Sequence, residues 1–164
     1  MIGEFELNVL EILAEDARTD AEQIAVMTGK TVEEVKSAIE KLEKERILIK
    51  YPAMVNWDRV REDVVQALIE VRVTPQRDEG FDAIAEKIYR FEEVKSVYLM
   101  SGAYDLLVIV EGTNIKQLAI FVGEKLSTLE NVLSTATHFV LKKYKQDGVI
   151  LERENEDDRL QVSP

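Results

Sequence analysis

The sequence contains no cysteine and a single histidine among its 164 residues. The missing thiols exclude disulfides, thiolate nucleophiles and cysteine-ligated zinc or iron–sulfur sites. Because His138 has no second histidine to share a metal ion, we expect it to be a packed or interface residue rather than a ligand. No apolar run reaches the roughly 18 residues of a membrane span, and the acidic start is unlike a signal peptide. We therefore expect a soluble, cytoplasmic protein without metal or cofactor.

Positive charge is also scarce. Lysine and arginine number 21 against 32 acidic residues, which gives a formal net charge of −11. Nonspecific attraction to nucleic acid or to an anionic membrane is therefore not expected. A glycine-rich phosphate loop, a Gly-x-Ser-x-Gly motif and a recognisable pair of catalytic carboxylates are absent as well, so the sequence does not favour an enzyme. The 46% of hydrophobic residues are spread along the chain, enough for one ordinary domain or two small ones.

The first fifty residues predict three helices with apolar positions at helical spacing. Two capping-box pairs, Asp20 with Gln23 and Thr31 with Glu34, indicate where the second and third helices begin. Gly29 lies in the turn between them, where a helix end favours glycine. This order is the outline of a helix-turn-helix, although any small three-helix core has similar spacing. The residues predicted to face the core are Phe5, Val9, Ile12, Leu13, Ala21, Ile24, Ala25, Met27, Val35, Ile39 and Leu42.

The remainder of the chain predicts β-structure. Residues 47–51 form a short β-type run that Pro52 ends, and we expect them to begin an ordered linker as a strand. Strand patterns at 64–73, 94–100, 104–111 and 132–142 alternate with helices beginning near Phe81 and Asn114, which gives the ferredoxin-like order βαββαβ. The strand 105–111 is apolar on both faces, whereas two helices cover only one face of a sheet. We therefore expect a second copy to cover the other face, in a dimer through the sheets. Val149 to Leu151 are expected to add a short edge strand, and the charged run 152–159 to be a solvated segment.

Three stretches resemble the leucine-responsive/asparagine-activator (Lrp/AsnC) family of transcriptional regulators. They are Ile-Leu-Ala-Glu-Asp-Ala-Arg at 12–18, Lys-Leu-Glu-Lys-Glu-Arg-Ile-Leu-Ile-Lys-Tyr at 41–51 followed by Val-Asn-Trp at 55–57, and the segment 94–107 containing Gly-Ala-Tyr-Asp. The resemblance covers about residues 4–145. The sequence departs from the family pattern at Arg46 and Lys50, which stand where glycine is usual, and at Ala103, which stands where the sensing turn often has aspartate.

The resemblance implies an α+β protein with a helix-turn-helix (winged-helix-like) DNA-binding domain and a ferredoxin-like sensing domain. The expected boundaries are 1–50 for the first domain, 51–63 for the linker, 64–145 for the effector-binding and dimerisation domain and 146–164 for an acidic tail. The family also implies operator DNA as a partner, an amino acid or related metabolite as effector, and homodimers that often assemble into octamers.

Residues 1–50 carry seven basic and twelve acidic side chains, a net charge of −5. Binding to DNA therefore depends on a local basic stripe and on two half-sites rather than on long-range attraction. The resemblance favours DNA contacts by Arg18, Thr31, Lys36, Ser37 and Lys41. From composition alone, the lysines are ordinary solvated charges balanced by neighbouring glutamates. A small-molecule-sensing assembly module with weak or no direct DNA binding therefore stays an alternative.

The turn at 101–105 joins two central strands and is the candidate effector site. Gly102 permits a ligand to approach the backbone closely, Tyr104 offers a flat apolar face with a hydroxyl, and the Asp105 carboxylate suits an ammonium group. The hydroxyls of Thr135 and Thr137 lie on one face of the last strand and are candidates for an α-carboxylate across a subunit junction. Without the resemblance, the turn is more simply an ordinary hairpin in which Asp105 bonds its own backbone.

Overall fold

The structure is a computed structural model that describes residues 2–60, 63–74 and 80–151. The charged run at 152–159 and residues 61 and 62 of the predicted linker lie outside this part. The chain divides into two compact units, Met1–Val55 and Asn56–Pro164. None of the described helices is long and apolar enough to cross a membrane.

The first unit contains the three predicted helices, α1 (Glu4–Glu15), α2 (Ala21–Thr28) and α3 (Val32–Lys44). Both predicted capping boxes are present: a side chain at the start of α2 and of α3 accepts from a backbone N–H three residues on, and the return bond is also made. Gly29 ends α2 in the left-handed conformation with φ 66°. Local sequence signals thus determine both helix starts and the tight turn between them.

One apolar face of each helix forms the core of the first unit. The buried core residues are Val9, Leu13, Ile24, Ala25, Val35 and Leu42, with Phe5, Ile12, Ala21 and Ile39 packed against them. Met27 is 64% exposed, so the prediction that it faces inward was wrong. At 100° per residue it lies roughly 110° around α2 from the midpoint of the buried pair Ile24 and Ala25.

Residues 47–51 do not form a strand, so that prediction was also wrong. Arg46 takes a left-handed conformation with φ 56°. The N–H groups of Ile47 and Leu48 both donate to the carbonyl of Leu42, at 2.9 and 3.1 Å. These residues instead help to end α3, because the N–H groups of Ile47 and Leu48 bond to a carbonyl of the helix rather than to a neighbouring strand.

The second unit contains a four-stranded antiparallel sheet in the order β2-β3-β1-β4, the ferredoxin-like arrangement predicted from the sequence. Its strands are β1 (Val65–Val73), β2 (Val94–Leu99), β3 (Leu106–Gly112) and β4 (Val132–Phe139). Its helices are α4 (Asp82–Tyr89) and α5 (Ile115–Ile120), which continues as a π-helical turn at Phe121–Leu126. The predicted last strand was too long: Val140 makes the final ladder bond, to Gln66, because its partner β1 begins only at Val65.

The two helices cover one face of this sheet. Alternate residues of the central strands point into that layer and are buried with side chains of both helices: Ala67, Ile69, Val71, Val73, Leu106, Val108, Val110, Ile84, Ile88, Leu118, Phe121 and Leu126. On the opposite face, Leu107 and Ile109 are only half-buried. His138 lies there too, with a side chain 60% exposed and its Nε2 3.3 Å from Glu70 Oε1. Among the described residues no helix covers this side of the sheet, so His138 is not packed against one there.

Val149 and Ile150 do form a strand, but they do not join the edge of the main sheet as predicted. β6 (Val149–Ile150) pairs with β5 (Lys145–Gln146) in a separate hairpin. Asp147 and Gly148 connect the two with φ angles of 45° and 84°, the conformation of a two-residue type I′ turn. The Asp-Gly pair therefore favours pairing with the nearest segment over pairing with β1 or β4.

Candidate functional sites

The exposed side of α3 is the first candidate site. Val35, Ala38 and Leu42 turn one side of this helix into the core. The opposite side, the α3 outer surface, consists of Glu33, Lys36, Ser37, Glu40, Lys41 and Lys44, all exposed. Lys36 and Lys41 are five positions apart and so lie roughly 140° apart around the axis. The two ammonium groups therefore occupy opposite flanks of this surface.

The α3 outer surface carries three lysines and two glutamates, and two further exposed glutamates of α3, Glu34 and Glu43, border it. A cylinder of this size fits the major groove of B-DNA. The ammonium groups of Lys36 and Lys41 lie on the two flanks of this surface, and Ser37 lies between them. The geometry is thus compatible with DNA despite the acidic composition.

Lys41 is engaged by another helix. Its Nζ donates to Glu6 Oε1 of α1 at 2.9 Å. This hydrogen bond holds the pKa of Glu6 below its usual value and raises the pKa of Lys41. No spacing pattern in the sequence indicates this pair, because the two residues are 35 positions apart.

Thr31 lies at the start of α3, and its hydroxyl is part of the helix cap. Its Oγ1 accepts from the N–H of Glu34 at 3.2 Å and lies 3.1 Å from Glu34 Oε2. The backbone N–H of Thr31 and then its hydroxyl hold the pKa of Glu34 below the usual value. The structure thus places Lys36, Ser37 and Lys41 on the outer surface of α3 and Thr31 at its N-cap, where Thr31 has a structural role in capping the helix.

Arg18 lies in the turn between α1 and α2, not on α3. Its Nε and Nη2 donate to Asp16 Oδ1 and Oδ2, at 3.1 and 3.0 Å, in a bidentate pair. Hydrogen bonds from the Arg18 side chain and backbone lower the pKa of Asp16 to about 2. The Arg18 side chain is nevertheless 91% exposed, so its guanidinium is open to further partners.

The turn at 101–105 in the second unit is the other candidate site. A Cβ built on Gly102 meets no atom within 4 Å, so the space above this backbone is open. The hairpin interpretation expected the Asp105 carboxylate to bond its own backbone, but the carboxylate has a different partner. Its Oδ2 accepts from the backbone N–H of Val73 at 2.9 Å. The ladder between β1 and β3 ends at the pair Val71 and Leu106, so the carboxylate satisfies a backbone donor just beyond the last pair on that edge of β1.

Arg72 is a residue of this turn region that sequence reasoning did not find. It is exposed on the side of β1 away from the helices, and its Nε donates to the carbonyl of Ala103 at 3.0 Å. Strand alternation would have placed Arg72 on this face. It would not have identified the turn that Arg72 contacts, because that depends on how β1 pairs with β3.

Thr135 and Thr137 lie on the helix-covered side of the sheet. In the ladder between β1 and β4, Thr135 pairs with Val71 and Thr137 pairs with Ile69. The Oγ1 atom of Thr135 lies 3.2 Å from the Oγ atom of Ser127. Because β1 separates β3 from β4, Thr135 lies at the same end of the sheet as Asp105 but two strand spacings away, roughly 10 Å. Among the described residues, no group of three or more histidine, aspartate or glutamate side chains is arranged to hold a metal ion.

Comparisons with known proteins agree with this architecture. Residues 66–150 match the family described as the Lrp/AsnC ligand binding domain. The HTH-type transcriptional regulator YugG of Bacillus subtilis is 54% identical over 164 residues, covering 99% of each chain. The structure of E. coli AsnC matches with a TM-score of 0.70 at 23% identity, over 91% of this chain and 98% of its own. A transcriptional regulator of Neisseria meningitidis in complex with L-Met matches with a TM-score of 0.71 at 22% identity, over 92% and 97%.

Proposed function

The chain belongs to the Lrp/AsnC family of transcriptional regulators, and we propose that its first unit binds operator DNA through α3 while its second unit binds an amino acid or related metabolite. In this proposal the chain is a cytoplasmic regulator and not an enzyme. It acts as a homodimer, with octamers as a further assembly, because two half-sites bound together raise the affinity of a weakly charged domain.

The arrangement of the α3 outer surface carries the DNA-binding half of the proposal. Lys36 and Lys41 are the proposed phosphate contacts on its two flanks, and Ser37 is the proposed contact on the groove floor. Thr31 and Arg18 are proposed contacts from the helix start and from the preceding turn. Phosphate contacts contribute affinity and register, while side chains on the groove floor read sequence.

Replacing Lys36 tests this half. We expect Lys36→Ala to weaken binding to every duplex and to reduce the slope of log K against log salt by about 0.9 for each phosphate that the protein no longer neutralises. Lys87→Ala is the matched control, because Lys87 is an exposed lysine on α4 of the second unit. Fluorescence anisotropy over a salt series gives both quantities. Equal slopes for the wild type and Lys36→Ala would refute the assignment.

The turn at 101–105 carries the sensing half. We propose that Gly102 and Tyr104 form the open side of the effector site and that Asp105 faces the effector's ammonium group. Thr135 and Thr137 belong to the proposed site as hydroxyls from a neighbouring subunit. The L-Met bound to the Neisseria regulator is an example of the effector class that we propose.

A gel-shift titration tests both halves together. The probe is the duplex upstream of the protein's own gene, compared with a scrambled duplex, with and without a pool of the twenty amino acids. Selective binding that the pool alters would support the proposal. Loss of all selectivity at low salt, together with a pool-dependent change of mass in sedimentation velocity, would favour the assembly-sensor alternative instead.

A further inference from the structure

The first turn of α1 engages two lysines of the helix-turn-helix. Glu6 accepts from Lys41 of α3 at 2.9 Å, and the ring of Phe5 lies 5.6 Å from Nζ of Lys30, in the turn before α3. Lys30 is also paired with Glu34 at 3.4 Å. One cation of the α3 outer surface, Lys41, and one in the turn before α3, Lys30, are therefore already in contact with groups of this chain.

The Glu6–Lys41 pair differs from the other ion pairs of the first unit. Arg18 pairs with Asp16 and Lys30 with Glu34 within single turns of chain, whereas Glu6 and Lys41 join two helices. The Glu6 side chain is only 19% exposed, while that of Lys41 is 49% exposed. The carboxylate is thus held in place, and the ammonium group is still open to a phosphate.

We infer that Glu6 limits the affinity of the first unit for DNA, because it competes with phosphate for Lys41. This inference rests on the proposed function. When Lys41 transfers to a phosphate, the Glu6 carboxylate loses its partner beside the phosphate backbone and must take up a cation from solution. Net ion release on binding is therefore smaller than the number of phosphate contacts implies.

Glu6→Gln tests the inference against a matched control, Glu11→Gln. Both changes remove one negative charge from α1, but Glu11 is exposed and, among the described residues, pairs with no cation. The assay is anisotropy with a fluorescein-labelled duplex of random sequence, since a phosphate contact is independent of sequence. We expect Glu6→Gln to bind about 2- to 5-fold more tightly than Glu11→Gln, the factor of a surface ion pair, with a steeper dependence of log K on log salt.

Gly3→Ala provides a second test that changes no charge. A Cβ built on Gly3 comes within 2.5 Å of Glu6 Oε2, so the alanine must displace this carboxylate. Because Gly3 has φ −78°, alanine fits its backbone. We expect Gly3→Ala to shift affinity and salt slope in the same direction as Glu6→Gln, although the net charge stays at −11.

A double variant shows whether the gain in DNA affinity of Glu6→Gln acts through Lys41. We expect Lys41→Ala to abolish the difference between Glu6→Gln and the wild type, which a double-mutant cycle measures. Equal effects of Glu6→Gln and Glu11→Gln, or a gain that survives Lys41→Ala, would overturn this inference alone. Failure of the wild type and all variants to bind any duplex at low salt would overturn the proposed function, and this inference with it.

Discussion

Replacing Asp105 by alanine is expected to destabilise the second unit by about 2 kcal/mol. The carboxylate accepts from the N–H of Val73 at 2.9 Å, and Val73 is only 5% exposed. A hydrogen bond to a charged group contributes about 1.5–3 kcal/mol, and a buried donor left without a partner costs about 1–3 kcal/mol. Because the pairing of β1 with β3 ends at Val71 and Leu106, the N–H of Val73 lies beyond the last ladder pair on that edge and has no ladder carbonyl to replace the carboxylate.

Asp105→Asn is the matched control. Its amide oxygen still accepts from Val73, so we expect it to lose less than about 1 kcal/mol. Urea unfolding followed by the fluorescence of Trp57, the one tryptophan, reports on the second unit. With a denaturant slope of about 2 kcal/mol per molar, Asp105→Ala should lower the midpoint by about 1 M.

Two outcomes would refute this reasoning. An unchanged midpoint for Asp105→Ala would show that the bond to Val73 contributes nothing. An equal loss for alanine and asparagine would show that the negative charge, rather than the acceptor, stabilises the turn. A stable Asp105→Asn protein that no longer responds to the amino-acid pool would assign the ionised carboxylate to the effector as well.

Three further predictions concern other contacts. Thr31→Ala should cost about 1 kcal/mol in urea unfolding through loss of the helix cap, and Thr31→Ser should restore most of it; equal losses would contradict this. Because Arg18 lowers the pKa of Asp16 from 3.8 to about 2, the stability this pair contributes should be complete above about pH 4 and lost as the pH falls towards 2. Circular dichroism during acid titration measures this loss of stability. We expect the loss to be absent in Asp16→Asn, and an acid titration curve identical to that of the wild type would contradict this. Arg72→Gln should speed hydrogen exchange in the turn containing Ala103 but not in the strands, since Arg72 donates to that carbonyl; equal exchange in both proteins would contradict this.

Most of the fold could be predicted because its signals are local. The starts of α2 and α3 follow from cap residues three positions apart, and Gly29 identifies the turn between them. The buried face of β1 follows from simple alternation of apolar residues. The segment 47–51 was misassigned because an apolar run does not reveal whether its N–H groups meet a strand or the end of a helix.

The candidate sites were less predictable because their decisive contacts are distant in sequence. The sequence identifies Asp105 and Lys41 as polar residues at candidate functional positions. It does not identify Val73 and Glu6 as their partners, which are 32 and 35 residues away. Spacing rules apply to neighbours on one helix or strand, whereas these pairs depend on how separate elements pack.

The strand order β2-β3-β1-β4 has a consequence for synthesis of the chain. The first unit consists of three helices that follow one another along the chain, so we expect it to fold before the sheet of the second unit can be completed. β1 instead pairs on one edge with β4, which begins only at Val132. Until β4 has been made, the edge of β1 that pairs with it has unpaired backbone groups beside Ile69 and Val71, and we expect aggregation to compete with folding at this stage.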